Sequence, residues 1–329
     1  MNRLMVKNIK YGDAIDSAYA LLSVSLNSYS KGFKLDVELG DSSGNVNGVL
    51  WDCDPKIANK LKPGEIVHVN GVASAYQNKI QINLNSIKPY DGDIEIEDFI
   101  PNSVHSIDKM WEKLTLKIES IENENIKMLL DRFFDDAEFS ESFKRIPAGK
   151  KWHHTFIGGL LQHTLYMLQI ADDLTKIYPK CDRDLLLCGV LLHDIGKIYE
   201  LGVTGNIDYT TRGRLEGHIS IGYHAVMSAI EKIDGFPENL ASEIGHLILS
   251  HQGEREHGSP VVPCTLEAVI LHLVDQIDSQ VNAYQKIIEK EAEEGNEWST
   301  YIKLRERFFY FGDKYIDTKS PSQEDLLSD

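Results

Sequence analysis

The chain has 329 residues, 42% hydrophobic and 26% charged, a composition that excludes a disordered or fibrous protein and leaves room for two cores. Its formal charge of −17 argues against a general grip on duplex nucleic acid, which leaves a basic footprint. Residues 1–95 carry ten basic against eleven acidic side chains and the remainder twenty-four against forty, so the acidity belongs to the C-terminal part. Cys53, Cys181, Cys188 and Cys264 are scattered with no C-x-x-C pair, which predicts reduced thiols in a cytoplasmic protein rather than a disulfide frame or zinc knuckle. The apolar stretch at residues 18–26 is short and broken by serines, so neither a secretory signal nor a membrane span is expected.

Residues 33–88 read as β structure. Phe33, Leu35, Val37 and Leu39 alternate with Lys34, Asp36 and Glu38, the period of a half-buried strand. A turn at residues 41–44, a strand at 46–51, a Lys62-Pro-Gly64 turn and a hairpin divided at Asn78 follow. Several short strands in under a hundred residues predict a small OB-fold barrel over residues 1–90, with the insert at 55–61 as its helix. Residues 91–105 read as an acidic linker. Residues 106–315 read as an all-α domain, a succession of helices to about Phe311, and 316–329 as a disordered tail.

Ten of the twelve histidines fall between residues 153 and 272, beside apolar helical segments. His163 lies among Leu160, Leu161, Leu165 and Leu168; His193-Asp194 ends the apolar run 185–192 with Gly196 just beyond. His218 follows Gly217, and His251 precedes Gln252-Gly253. Asp275 sits inside an apolar helix, where an isolated carboxylate is expensive and requires a partner. Any one of these histidines alone reads as a hydrogen-bonded core residue. The ordered set reads as ligands for divalent metal, enough for two ions, and points to metal-assisted hydrolysis of a phosphoester.

His163, His193-Asp194 and Asp275 resemble the H…HD…D pattern of the HD superfamily of metal-dependent phosphohydrolases. His218 and His251 resemble the extra histidines of its two-metal members. Leu191-Leu-His-Asp-Ile-Gly-Lys197, Leu249-Ser-His-Gln-Gly253 and the stretch from Trp152 to Thr164 are similar to one subgroup, the YhaM-type 3′→5′ exoribonucleases, in which an OB-fold precedes the HD domain. The resemblance covers roughly residues 1–315. One position departs from it, with Gln252 where a second histidine is expected.

The resemblance implies Asp194 bridging two ions, His163, His193 and Asp275 completing one site, and His218 and His251 the other. Mn²⁺ is the expected metal, with Fe²⁺, Co²⁺ or Zn²⁺ as alternatives. A metal-activated hydroxide would attack the last phosphodiester of single-stranded RNA, or of single-stranded DNA, and release nucleoside 5′-monophosphates. Lys197 is expected to grip a non-bridging oxygen, against a solvated lysine at a helix end; His154 reads equally as a contact to a terminal phosphate or 3′-hydroxyl and as an ordinary helix-start residue; and His272 reads as packing behind the ligands, with an alternative ligand as the second reading. Arg212 and Arg214 are candidates for phosphate contact, against an exposed loop as the plainer alternative. In the barrel, Phe33, Trp51 and Tyr76 are candidates for base stacking, and Lys34 and Lys79 for tracking the backbone. Two other functions stay open: hydrolysis of free or cyclic nucleotides, and non-catalytic strand binding. So does homo-oligomerisation.

Overall fold

A computed structural model describes residues 4–77, 79–292, 296–312 and 315, so the expected tail and the hairpin position Asn78 lie outside the described residues. The chain forms two compact units, one running to Asn102 and including Leu201–Tyr209, the other holding the remainder.

The first unit is a closed barrel. Its strands β1 (Ala14–Tyr29), β2 (Gly32–Asp41), β3 (Gly44–Leu50), β4 (Ile66–Tyr76) and β5 (Lys79–Pro89) close in the order β1-β2-β3-β5-β4. Only the β3–β5 pairing is parallel. The alternation predicted in β2 is realised: Leu35, Val37 and Leu39 are buried with Ile15, Tyr19, Val67, Val69 and Ile82, while Lys34, Asp36 and Glu38 keep partial access to solvent. The short helix α1 (Pro55–Ala58) follows β3, capped by Asp54, whose carboxylate accepts from Lys56 N. The sequence pattern does not delimit β1. That strand pairs β4 through residues 14–20 and β2 through residues 20–29, with a register shift between Leu21 and Ser23. Tyr19, Ala20 and Leu21 are all buried near this bend, which erases the alternation that would have revealed the strand.

The residues expected as a linker are packed. Phe99 joins Ala20 and Ile66 in a small core and Ser42 N donates to Asp98 O (3.0 Å), while Ser103 N donates to Ile157 O (3.0 Å) in the second unit. A two-stranded hairpin, β6 (Leu201–Val203) with β7 (Ile207–Tyr209), interrupts the expected run of helices, and Gly205 N donates to Gly64 O (2.8 Å) of the barrel unit.

The second unit is helical: α2 (Ile107–Glu119), α3 (Glu124–Phe134), α4 (Ala137–Arg145), α5 (Gly159–Ile177), α6 (Arg183–Leu192), α7 (Lys197–Glu200), α8 (Thr211–Ile230), α9 (Glu238–Ser250) and α10 (Leu266–Glu291). Ser106, Asn123, Asp136, Asp182, Thr210 and Thr265 each accept a backbone N–H at the start of their helices. Residues 185–192 of α6 are buried on every side, so this helix runs through the core, packed by α5, α9 and α10. Among the described residues no helix follows α10. Residues 296–312 pair Trp298 with Tyr310 and Ile302 with Arg307, as their aromatic and β-branched content favours, instead of continuing the helix to Phe311. Among the described residues no helix is long and apolar enough to cross a membrane.

Candidate metal centre and barrel groove

The core helix α6 delivers the centre. His193 is its C-cap and Asp194 the first residue beyond. Neighbours on a continuing helix diverge by about 100°, but here the chain turns out of the helix, and His193 Nε2 lies 3.3 Å from Asp194 Oδ2. His163 of α5 places Nε2 3.7 Å from the same oxygen and 3.5 Å from Asp275 Oδ1 on α10. On the other carboxylate oxygen, Asp194 Oδ1, His218 Nε2 lies at 3.4 Å and His251 Nε2 at 3.7 Å. The structure therefore gathers four imidazoles around one carboxylate, two to each oxygen, with Asp275 beside them through His163. His218 reaches it because α8 is kinked at Gly217 (φ 72°), and His251 because it caps the C-terminus of α9.

Each imidazole is held by its other nitrogen. His163 Nδ1 donates to Asp278 Oδ2 (2.5 Å), His193 Nδ1 to Val190 O (2.8 Å), His218 Nδ1 to Glu200 Oε1 (3.1 Å) and His251 Nδ1 to Ile248 O (2.7 Å). That fixes one tautomer for all four, with the Nε2 lone pair turned toward Asp194. These four Nε2 atoms and Asp194 Oδ1 are buried and lack a hydrogen-bond partner among the described residues. An orphaned buried polar atom costs about 1–3 kcal/mol, so five converging ones are stable together only if something else satisfies them. Oriented imidazoles around a carboxylate fit divalent metal ions.

The charges agree with this arrangement. Burial alone would raise the Asp194 carboxyl, but Lys197, His193 and His218 hold it well below its ordinary range. Burial would discharge Lys197, but Asp194, whose Oδ2 lies 2.5 Å from Nζ, raises its pKa and keeps it cationic. Burial, with His193 and His218 adding to it, holds His251 well below the ordinary histidine value and therefore neutral.

Two residues of the centre were missed in the sequence. Asp278 accepts from both His163 Nδ1 and His154 Nε2 (2.8 Å), and Glu200 accepts from the His218 ring and backbone N. Their signals were present: Asp278 lies one turn after Asp275 in an apolar helix, and Glu200 one turn after Lys197. The expected contact of His154 with a phosphate or 3′-hydroxyl is corrected for Nε2, which is engaged by Asp278 in a fully buried ring. His272 Nδ1 donates to His251 O (2.9 Å) and braces the end of α9. Arg212 is held on the outside of α8 by Glu216 (3.1 Å) and lies over the Tyr199 ring, and Arg214 is exposed in the same helix.

In the barrel, Lys34, Asp36, Trp51, Tyr76, Gln81 and Asn83 line part of a surface groove of about 570 Å³. Trp51 and Tyr76 are 51% and 62% exposed, Tyr29 packs edge-on to Trp51, and Lys34 Nζ lies 5.7 Å from the Trp51 ring centre. Lys34 also pairs with Asp36 (2.9 Å). Lys79 stands opposite Tyr76 in the β4–β5 register, while Phe33 is exposed but does not line the groove.

A family model described as an HD domain matches residues 160–280, and one described as an OB-fold nucleic acid binding domain matches residues 23–90. The chain is 33% identical over 308 residues to the 3′-5′ exoribonuclease YhaM of Geobacillus sp. (strain WCH70), an alignment covering 93% of this chain and 94% of that one. It is 34% identical over 315 residues to YhaM of Shouchella clausii (93% and 97% covered) and 34% over 303 residues to YhaM of Bacillus subtilis (91% and 95%). With a match along nearly its whole length to relatives at least 33% identical, and family models for an OB-fold and an HD domain in succession along it, the chain belongs to the YhaM 3′-5′ exoribonuclease family.

Proposed function

We propose that the protein is a metal-dependent 3′→5′ exoribonuclease that shortens single-stranded RNA to nucleoside 5′-monophosphates, with single-stranded DNA as a second polymer. The observation that carries this reading is the set of four buried, unpartnered Nε2 atoms aimed at Asp194 in a chain that also bears an aromatic groove on an OB-fold barrel. His163, His193, Asp194 and Asp275 would hold one ion, and Asp194, His218 and His251 the other. Mn²⁺ suits this mixed nitrogen and oxygen set, with Fe²⁺, Co²⁺ and Zn²⁺ as alternatives. When bound, two such ions acidify water and neutralise the charge that builds on a phosphodiester under attack.

The protein's own groups do the rest. Lys197, cationic and buried at the cluster, would hold a non-bridging phosphate oxygen. Asp278 and Glu200 orient His163 and His218, and His154, through Asp278, is a positioning residue rather than a substrate contact. Trp51 and Tyr76 would stack bases, with Lys34 and Lys79 beside the backbone, and Arg212 and Arg214 would add phosphate contacts at the mouth of α8. A nucleotide hydrolase would make no use of the barrel groove. A cytoplasmic location fits a ribonuclease with unpaired thiols.

The test is a time course on 5′-labelled single-stranded RNA with metal-stripped protein, with and without Mn²⁺, beside Asp194→Ala. The expected result is a ladder shortening from the 3′ end, absent in the variant and without metal. Intact RNA with wild-type protein and Mn²⁺ would overturn the reading.

A further inference from the structure

Away from the barrel groove and the metal centre, exposed aromatic and cationic side chains are interleaved in the segment that follows α10. After α10 the chain doubles back through residues 296–312. Ser299 N donates to Phe309 O (2.8 Å) and Ile302 N to Arg307 O (2.9 Å). Some of its rings face inward: Phe309 stacks on Tyr284 of α10 with centroids 4.7 Å apart, and Phe311 is buried. Others face out. Trp298 pairs with Tyr310 and Tyr301 with Phe308, yet these four rings are 52%, 54%, 49% and 55% exposed. The outward pairs join the two arms of the return and still leave about half of each ring open to solvent.

Between them lie Lys303, Arg305 and Arg307, three cations within five residues. None pairs with a carboxylate among the described residues, although the chain carries an excess of seventeen negative charges. Arg307 Nε donates to Arg305 O (3.0 Å), and the Arg305 guanidinium lies 5.2 Å from the centre of the Trp152 ring, which also meets Tyr284. Trp152 precedes His153, whose ring lies 5.1 Å from that of His163 and whose nitrogens have no partner among the described residues. The segment is thus joined to the metal centre through Arg305, Trp152 and His153.

We propose that residues 298–310 form a second single-strand-binding surface, which stacks bases of the RNA on its outward rings and holds backbone phosphates with Lys303, Arg305 and Arg307. Rings interleaved with unpaired cations match a polyanion that also carries flat bases. The connection to His163 places that surface beside the centre that acts on the polymer, a link that a protein partner or a second copy would not need. The inference rests on the exoribonuclease reading of the same chain.

The test uses the full chain, an RNA of about twenty nucleotides, longer than the ~4–16 nucleotides that one OB-fold covers, and a dinucleotide. Binding of the long RNA is read by fluorescence anisotropy with metal stripped. The ratio of kcat/KM on long RNA to that on the dinucleotide is read with Mn²⁺. For Tyr301→Ala with Phe308→Ala, and separately for the exposed-charge variant Lys303→Glu, the expected result is affinity weakened about tenfold and a ratio lowered by a similar factor, with melting midpoint and bound metal at wild-type levels. Affinity and ratio within twofold of wild type in folded variants would overturn the proposal. So would a loss shared equally by both substrates, or an altered oligomeric state with RNA binding unchanged, which would assign the face to a protein. A wild-type protein that neither binds nor shortens the long RNA would instead fail the exoribonuclease reading and take this inference with it.

Discussion

The side chains most exposed to test are those that hold other side chains. Burial alone would raise the Asp278 carboxyl, yet the hydrogen bonds from His154 and His163 outweigh it and keep the group ionised. Asp278→Asn retains the shape but offers an amide where His163 Nδ1–H needs a full negative charge. We expect Mn²⁺ affinity to fall about 10–100-fold with the fold intact, measured as a shift in the metal dependence of hydrolysis. Loss of activity that no concentration of Mn²⁺ restores would place Asp278 at the substrate instead. The ligand types themselves were legible in the sequence, since His193-Asp194 beside a glycine and an aspartate in an apolar helix are local signals. Asp278 was passed over because its meaning lies in a contact with His163, 115 positions away.

At the scale of elements, the approach of α7 to α8 sets where His218 sits. A Cβ on Gly196 would lie 2.0 Å from His218 O and 2.8 Å from Gly222 N, both backbone atoms that cannot swing aside. Gly196→Ala should therefore separate the two helices, cost about 1–3 kcal/mol in thermal unfolding, and weaken Mn²⁺ binding along with it. An unchanged melting midpoint would show that the contact yields. Three other helices are tied by charge: Asp172 of α5 accepts from Lys117 of α2 (2.8 Å) and from Arg183 of α6 (2.6 Å). Burial works to raise the Asp172 carboxyl, but the two hydrogen bonds prevail and its pKa is lowered. A lowered carboxylate stabilises the fold above its unfolded pKa and loses that contribution as pH falls through the folded value. Asp172→Asn should thus lower stability by about 1–2 kcal/mol at neutral pH and flatten the acid limb of a melting-against-pH profile. A parallel downward shift at every pH would contradict this account.

For the whole molecule, the proposed metal centre and the proposed barrel groove lie in different units, so their effects should be separable. An ion that binds the folded centre and not the unfolded chain stabilises by about 2.7 kcal/mol at a hundredfold excess over its dissociation constant. Mn²⁺ should therefore raise the melting midpoint of the wild-type protein and leave that of Asp194→Ala unmoved. Equal shifts in both would place the binding elsewhere. On the barrel, Trp51→Ala removes a half-exposed ring from the groove and should weaken binding of single-stranded RNA by about 1–3 kcal/mol, read by anisotropy without metal. Unchanged affinity would assign Trp51 to packing against Tyr29.

Local chemistry along the chain determines much of this protein. The period of two in β2, the apolar run that became α6 and the order of histidines and aspartates are properties of neighbouring residues, and each survives in the fold. What neighbours do not encode came only with the folded chain. The bend that lets β1 serve two partners hides its alternation. The hairpin of residues 201–209 and the aromatic return of residues 296–312 are short pairings without a long period of their own. The convergence of four Nε2 atoms on the two oxygens of Asp194, with an acceptor behind every Nδ1, exists only because α5, α9 and α10 pack around one buried helix and α8 packs on α7 and α9. Direction in space is set by that packing, and a linear string of residues holds no record of it.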